Sequence, residues 1–422
     1  MLLWLLRCLS DTLDSAHLAA VEKITFRAAV AAGVAFALAL ALGPRMIAWL
    51  RRRFREPNRS ASPQLEQLHQ AKHATPTMGG LFLVAGVLAA LALLADLSNP
   101  LVQTALFVTV GLGLVGAVDD FIKLRGNSNG ISARAKLLGQ LAVAAVAAAW
   151  LYHFHVDVAR ELHRSGELTL WIPLADASVP LGWAFVPLAV VVIVGASNAV
   201  NLADGLDGLA GGCLVMAVGA MAAAAYAAGH AELAQYLNVP RVPGAGEMAV
   251  LGAAIAGGVL GFLWFNCHPA AVFMGDTGSL PLGGLLGLIA LAARQEILLL
   301  LVGGVFVVEA ASVLVQVAAY KWRRRRVFLC APLHHHFQFQ GQAEGKIVVR
   351  FWIASAVCAI LGLACLKVNI REQTAGGVAV AVERSVGGDG AKTESRPFTG
   401  QYPVKPCEYV TDAATASPAT RK

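Results

Sequence analysis

The sequence predicts an all-α polytopic integral membrane protein of about ten transmembrane helices with both termini external. Three observations carry that expectation. Of 422 residues, 57% are hydrophobic and only 14% are charged, more apolar surface than one soluble core can use. The apolar residues are gathered into ten runs, each close to the length that crosses a hydrocarbon layer of ~30 Å. The connections between those runs alternate between rich and poor in Lys and Arg, which sets the orientation of a membrane protein.

Taken in order, Met1 to Leu9 is apolar but too short to span and lacks a small-residue cleavage site, so an interfacial segment is expected. The expected spans of the first half are Ala28 to Leu50, Gly79 to Leu97, Leu101 to Val118, Leu137 to Tyr152 and Trp183 to Ala199. Those of the second half are Leu209 to Ala228, Ala249 to Phe265, Gly278 to Ala293, Ile297 to Tyr320 and Phe351 to Val368. Arg51 to Arg53, Arg55, Arg59, Lys72, Lys123, Arg125, Arg134, Lys136, Lys321, Arg323 to Arg326, Lys346 and Arg350 fall in one set of connections. The other set offers only Arg160, Arg164, Arg241 and Arg294. The first set is therefore expected on the cytoplasmic side. The seven cysteines include no CxxC pair, so neither a disulfide framework nor a zinc site is indicated.

Five polar clusters interrupt this pattern, all on the expected cytoplasmic side. Phe273-Met274-Gly275-Asp276-Thr277-Gly278-Ser279 places a carboxylate between glycines and hydroxyls at the junction of two spans. That suits a Mg²⁺ ligand beside a phosphate, while the plainer alternative is a turn with an Asp cap. Asp119 and Asp120 are adjacent carboxylates that repel unless a cation or proton intervenes, and Lys123 follows Asp119 by one helical turn. Asn198, Asn201, Asp204 and Asp207 recur every third residue, a face able to pair with a nucleoside, or else a polar start to the sixth span. Lys72, before Thr75-Pro76-Thr77, can meet a phosphate as a point charge. His334, His335 and His336 suit hydrogen bonds to phosphate or sugar better than a shared metal, because adjacent side chains diverge. Glu309, inside the ninth span, reads as one member of a buried structural pair.

The stretches KHATPTMGG (Lys72 to Gly80), DDFIK (Asp119 to Lys123), KLLGQ (Lys136 to Gln140), NAVNLADGLDGLA (Asn198 to Ala210), FMGDTGS (Phe273 to Ser279) and PLHHHF (Pro332 to Phe337) resemble the phospho-N-acetylmuramoyl-pentapeptide transferase family. That family belongs to the polyprenyl-phosphate N-acetylhexosamine-1-phosphate transferase superfamily. The resemblance runs in order from Met1 to about Val368. It implies a Mg²⁺-dependent enzyme of the bacterial plasma (inner) membrane, multi-pass, with its active site facing the cytoplasm. The implied reaction moves phospho-MurNAc-pentapeptide from UDP-MurNAc-pentapeptide to undecaprenyl phosphate, releasing UMP and giving lipid I. By motif position, Asp276 resembles the metal ligand, and Asp119 and Asp120 the essential pair, the first proposed as base or nucleophile. Lys72, Asn201, Asp204 and Asp207 fall at nucleotide or catalytic contacts, Asn266 and Phe262 near the uracil pocket, and His334 to His336 on the substrate loop.

The expected site is thus Asp119, Asp120, Asp276 and Lys72 for catalysis, with Lys123, Asn198, Asn201, Asp204, Asp207, Phe262, Asn266, His334, His335 and His336 for substrate. Expected partners are the two substrates and the lipid bilayer, with a homodimer as the candidate assembly and no nucleic acid. Residues 1–368 form the expected transmembrane catalytic domain. Residues 369–422, rich in Gly, Ala and Thr, are expected as a polar, disordered external tail. A transporter of anionic solutes, the main rival class, would place its polar residues near the midplane rather than at one surface.

Overall fold

The computed structural model describes residues 22–53, 75–125, 130–162, 168–172 and 177–366. All belong to the compact unit Met1–Ile370. The second unit, Arg371–Lys422, lies outside the described residues, as do Met1 to Leu9, Lys72 and the expected tail.

The described chain is helical, in the order α1 (Ile24–Arg53), α2 (Gly80–Leu94), α3 (Pro100–Arg125), α4 (Ala133–Glu161), α5 (Phe185–Ala203), α6 (Leu209–Gly229), α7 (Ala231–Tyr236), α8 (Glu247–Asn266), α9 (Asp276–Ala292), α10 (Glu296–Val302), α11 (Gly304–Arg323), α12 (Leu333–Phe339) and α13 (Glu344–Cys365). Eight of the described helices, α1, α3, α4, α5, α6, α8, α11 and α13, are long and apolar enough to cross a membrane. The protein is a multi-pass membrane protein of the expected helical class.

Three departures follow from local chemistry. The helices at two expected spans, α2 and α9, have 15 and 17 residues, only ~22 and ~26 Å at ~1.5 Å per residue, so they are shorter than the hydrocarbon layer. The expected ninth span, Ile297 to Tyr320, is broken at Gly303 into α10 and α11, where two successive glycines weaken helix propagation. Between α4 and α5 a small antiparallel hairpin forms from β1 (Thr169–Ile172) and β2 (Ala177–Pro180), with Thr169 opposite Pro180 and Ile172 opposite Ala177. Its Thr-Leu-Trp-Ile run favours a strand, and the Arg294 guanidinium donates to the Thr169 carbonyl.

Helix α9 is the axis of the bundle. All of its residues are buried, which is how a helix apolar on every side is accommodated. It packs against α3 and α5, and also against α2 and α6, while Ser197 Oγ of α5 donates to the Leu280 carbonyl at 2.9 Å. Because α9 is enclosed, its N-terminal N–H groups open inside protein rather than into water. They need partners there.

Candidate active site

The partner for that helix end is Asp120. Its Oδ1 accepts from the Asp276 N–H at 3.2 Å, and its Oδ2 accepts from the Thr277 N–H at 2.9 Å and from Thr277 Oγ1 at 2.7 Å. A carboxylate borrowed from α3 therefore caps α9. The preceding Gly275 has φ of 71°, and a Cβ there would stand 2.6 Å from Asp120 Oδ2, so a side chain at 275 would be strained and would disturb the cap.

Fixing the start of α9 sets Asp276 beside Asp119 and Asp120, and one oxygen from each carboxylate lies within 4.8 Å of the others. Such a group stays together only with compensating charge. Lys123 Nζ is 2.8 Å from Asp119 Oδ2, 2.9 Å from Asp276 Oδ2 and 3.6 Å from Asp120 Oδ1. Lys136, from the first turn of α4, reaches Asp276 Oδ2 at 2.5 Å and Asp119 Oδ2 at 3.6 Å. The remaining Asp119 oxygen accepts from the Ile131 N–H at 2.9 Å. The remaining Asp276 oxygen accepts from Asn201 Nδ2 at 2.6 Å, and the same amide donates to Ser279 Oγ at 2.7 Å.

Two more expected motifs converge here. Residues 76–80 run beside the hinge before α9: the Phe273 N–H donates to the Pro76 carbonyl, and the Gly79 and Gly80 N–H groups donate to the Phe273 and Met274 carbonyls, each at 2.8 Å. At the end of α5, half-buried Asp204 lies past Asn201. Burial, followed by the charges of Asp276, Asp120 and Asp207, pushes its carboxyl well above the usual carboxylate range.

Other expected residues serve the frame around this cluster. Phe262, expected near the uracil pocket, is fully buried with its ring centroid 5.6 Å from that of Phe82, so it offers no face to a ligand. Asn266 is also buried, its amide accepting from the Gly208 N–H at 3.0 Å and donating to the Val272 carbonyl at 2.8 Å. Asn198 pairs with Gln140 at 2.9 Å. Asp207 belongs to a second cluster with His268 and Glu344, in which His268 Nδ1 is 3.0 Å from Asp207 Oδ2 and Glu344 Oε1 accepts from the Asp207 N–H at 2.9 Å. His335 Nδ1 bonds Gln338 at 2.8 Å, and His336 Nδ1 accepts from the Leu329 N–H at 3.1 Å. His334 is buried against Glu309, giving Glu309 its expected buried partner.

Lys136 and Thr277 are the additions to the expected site residues. Lys136 opens the KLLGQ stretch, but nothing in its spacing announces a contact with a carboxylate 140 positions away.

Chemically, the cluster offers hard oxygen donors next to two ammonium groups. That donor set fits a divalent cation such as Mg²⁺, and the lysines suit phosphate oxygens.

Residues 102–294 match the profile of Glycosyl transferase family 4. The chain is 46% identical over 349 residues to the phospho-N-acetylmuramoyl-pentapeptide-transferase of Maridesulfovibrio salexigens, covering 82% of this chain and 94% of that relative. It has the same identity and coverage with the protein of that name from Nitratidesulfovibrio vulgaris strain DP4.

Proposed function

The chain belongs to the phospho-N-acetylmuramoyl-pentapeptide-transferase family, and from that premise we propose that it transfers phospho-MurNAc-pentapeptide from UDP-MurNAc-pentapeptide to undecaprenyl phosphate at the Asp119, Asp120 and Asp276 cluster, giving lipid I and UMP. The observation that carries the site assignment is the meeting of three carboxylates and two lysines where α3, α4 and α9 converge. Phosphoryl transfer asks mainly for positioning and charge neutralisation, and these groups supply both.

Asp276 is the ligand we assign to Mg²⁺, with Asp119 and Asp120 beside it; the ion would neutralise charge on the diphosphate. Asp120 holds the α9 terminus and so fixes where Asp276 points. Lys123 and Lys136, which bridge the carboxylates, are placed to turn toward phosphate oxygens when substrate enters. Asp119 has one oxygen on the Ile131 N–H and the other on Lys123, so its part in this reading is to organise charge rather than to remove a proton. Asn201 holds Asp276 from the α5 side, and Asp204 extends that face toward the nucleotide. Lys72, Asp207 and the histidine segment complete the substrate surroundings in this proposal.

The Lys and Arg bias supports placing this end of the bundle at the cytoplasmic face of the plasma membrane. There a nucleotide arrives from the cytosol and a lipid phosphate from the bilayer. All of this chemistry is assigned to residues 1–368.

The test is incubation of purified protein and Mg²⁺ with undecaprenyl phosphate and either UDP-MurNAc-pentapeptide or UDP-GlcNAc, following UMP. Release with the first nucleotide alone is expected. Release with UDP-GlcNAc alone would move the substrate to another branch of the superfamily.

A further inference from the structure

Glu309 lies inside α11 and is fully buried. A lone carboxylate in that position is costly unless it is fully bonded, and among the described residues its hydrogen bonds run to one short segment. Its Oε2 accepts from the Leu333 N–H at 2.8 Å and meets His334 Nδ1 at 3.2 Å, while its Oε1 accepts from the His334 N–H at 3.1 Å. Pro332, at the cap position of α12, makes no side-chain capping bond, so α11 provides the acceptor from outside.

The contact at Nδ1 does more than cap. A carboxylate there holds a proton on Nδ1 and fixes both tautomer and ring plane. His334 Nε2 is then turned away from Glu309, buried and, among the described residues, without a hydrogen-bond partner. It faces Gly205, where an added Cβ would collide with it. Gly205 follows Asp204 directly and stands four residues after Asn201, whose amide holds Asp276. The ring is therefore a wedge between a membrane helix and the turn that carries the α5 side of the active site.

We infer that Glu309 is a positioning residue for the transfer reaction, acting through His334 to seat the Asn201 to Asp207 turn against the Asp276 cluster. This rests on the proposed function of that cluster. Backbone capping alone would stabilise α12 without requiring the ring. Positioning requires it.

The experiment is steady-state UMP release by full-length protein in the same detergent or bilayer, varying nucleotide and lipid phosphate separately. Glu309→Gln, His334→Ala, the double variant and Gly205→Ala are compared with the parent. Glu309→Gln is expected to lower kcat/KM for the nucleotide at least about tenfold, with the KM for lipid phosphate unchanged. In the His334→Ala background the same change should add less than about twofold, because the ring through which it acts is gone. Gly205→Ala displaces the ring with Glu309 intact and should reproduce the nucleotide defect, which keeps the inference testable if Glu309→Gln does not fold. Full multiplicativity of Glu309→Gln and His334→Ala would reduce Glu309 to a cap and overturn the inference. So would parental kinetics in Glu309→Gln or in Gly205→Ala. Failure of the parent itself to release UMP would instead overturn the function assigned to the cluster.

Discussion

Lys136 offers a prediction in which two measurable quantities move in opposite directions. Its ammonium is 2.5 Å from Asp276 Oδ2 and 3.6 Å from Asp119 Oδ2, with 18% of its side chain exposed. Three carboxylates against Lys123 and Lys136 leave the cluster one negative charge in excess, and Lys136→Met makes that two. A unit charge pair at ~4 Å in a partly shielded site is worth up to ~4 kcal/mol. Solvent access and repositioning of Lys123 will remove much of this, yet a residue of ~1.4 kcal/mol is already a tenfold change in an equilibrium constant. The substitution should therefore tighten divalent-cation binding at least about tenfold. Turnover should fall by about 10²- to 10³-fold, the scale of losing one preorganised group that meets developing charge. Cation affinity is read by Mg²⁺ titration calorimetry of substrate-free protein, and turnover by single-turnover UMP release at saturating Mg²⁺. Weaker cation binding in Lys136→Met would make the lysine part of the metal-holding frame. Unchanged turnover would remove it from the reaction altogether.

Three further outcomes are expected. Asp119→Asn should lose far more than tenfold in single-turnover rate, with the deficit persisting from pH 7 to pH 9: a phosphate monoester with its second pKa near ~6 is about 90% ionised at pH 7, so proton removal from the remaining lipid phosphate can raise the rate by only about 1.1-fold. Recovery to within about tenfold of the parent as the lipid phosphate ionises would instead identify a general base. For Asp204 the raised folded-state pKa means that the folded protein binds more protons than the unfolded chain above the ordinary value of 3.8, so stability declines as pH rises through the folded value. Asp204→Asn mimics the protonated form, and its Tm relative to the parent, measured without divalent cations, should increase with pH; a constant difference would show that Asp204 does not carry that linkage. Finally, a cysteine at Ala133 should be labelled only from the cytoplasm and one at Ser178 only from outside, and labelling of both from one side would break the assigned orientation.

Much of this arrangement is legible in the sequence because membrane proteins use polar residues sparingly. Asp119, Asp120, Lys123, Asn201 and Asp276 stand out against apolar spans, and all five meet within hydrogen-bonding or ion-pair reach. What the sequence does not disclose is which members of a motif point at one another. Phe262 and Asn266 sit one helical turn apart near the end of α8 and read as pocket residues, yet both are consumed in packing and loop bonding. Lys136 looks like an ordinary juxtamembrane lysine until α4 is laid against α3. The short length of α9 has a physical reason: its apolar run, read as Gly278 to Ala293, forms the helix Asp276–Ala292, and complete enclosure by other helices lets 17 residues suffice. In the ninth span, average hydropathy hides the Gly303 and Gly304 break, because hydropathy reports burial in lipid rather than continuity of backbone hydrogen bonds.

The central claim, that Asp276 holds a divalent cation at the point of phosphoryl transfer, is tested most directly by Asp276→Asn. The variant and parent are compared for Mg²⁺ binding by calorimetry and for UMP release from UDP-MurNAc-pentapeptide and undecaprenyl phosphate, with folding checked by size-exclusion profile and thermal unfolding. A neutral amide is a far poorer ligand for a hard cation, so a folded variant with weakened Mg²⁺ binding and abolished turnover is predicted. Near-parental UMP release by a correctly folded Asp276→Asn protein would contradict the account.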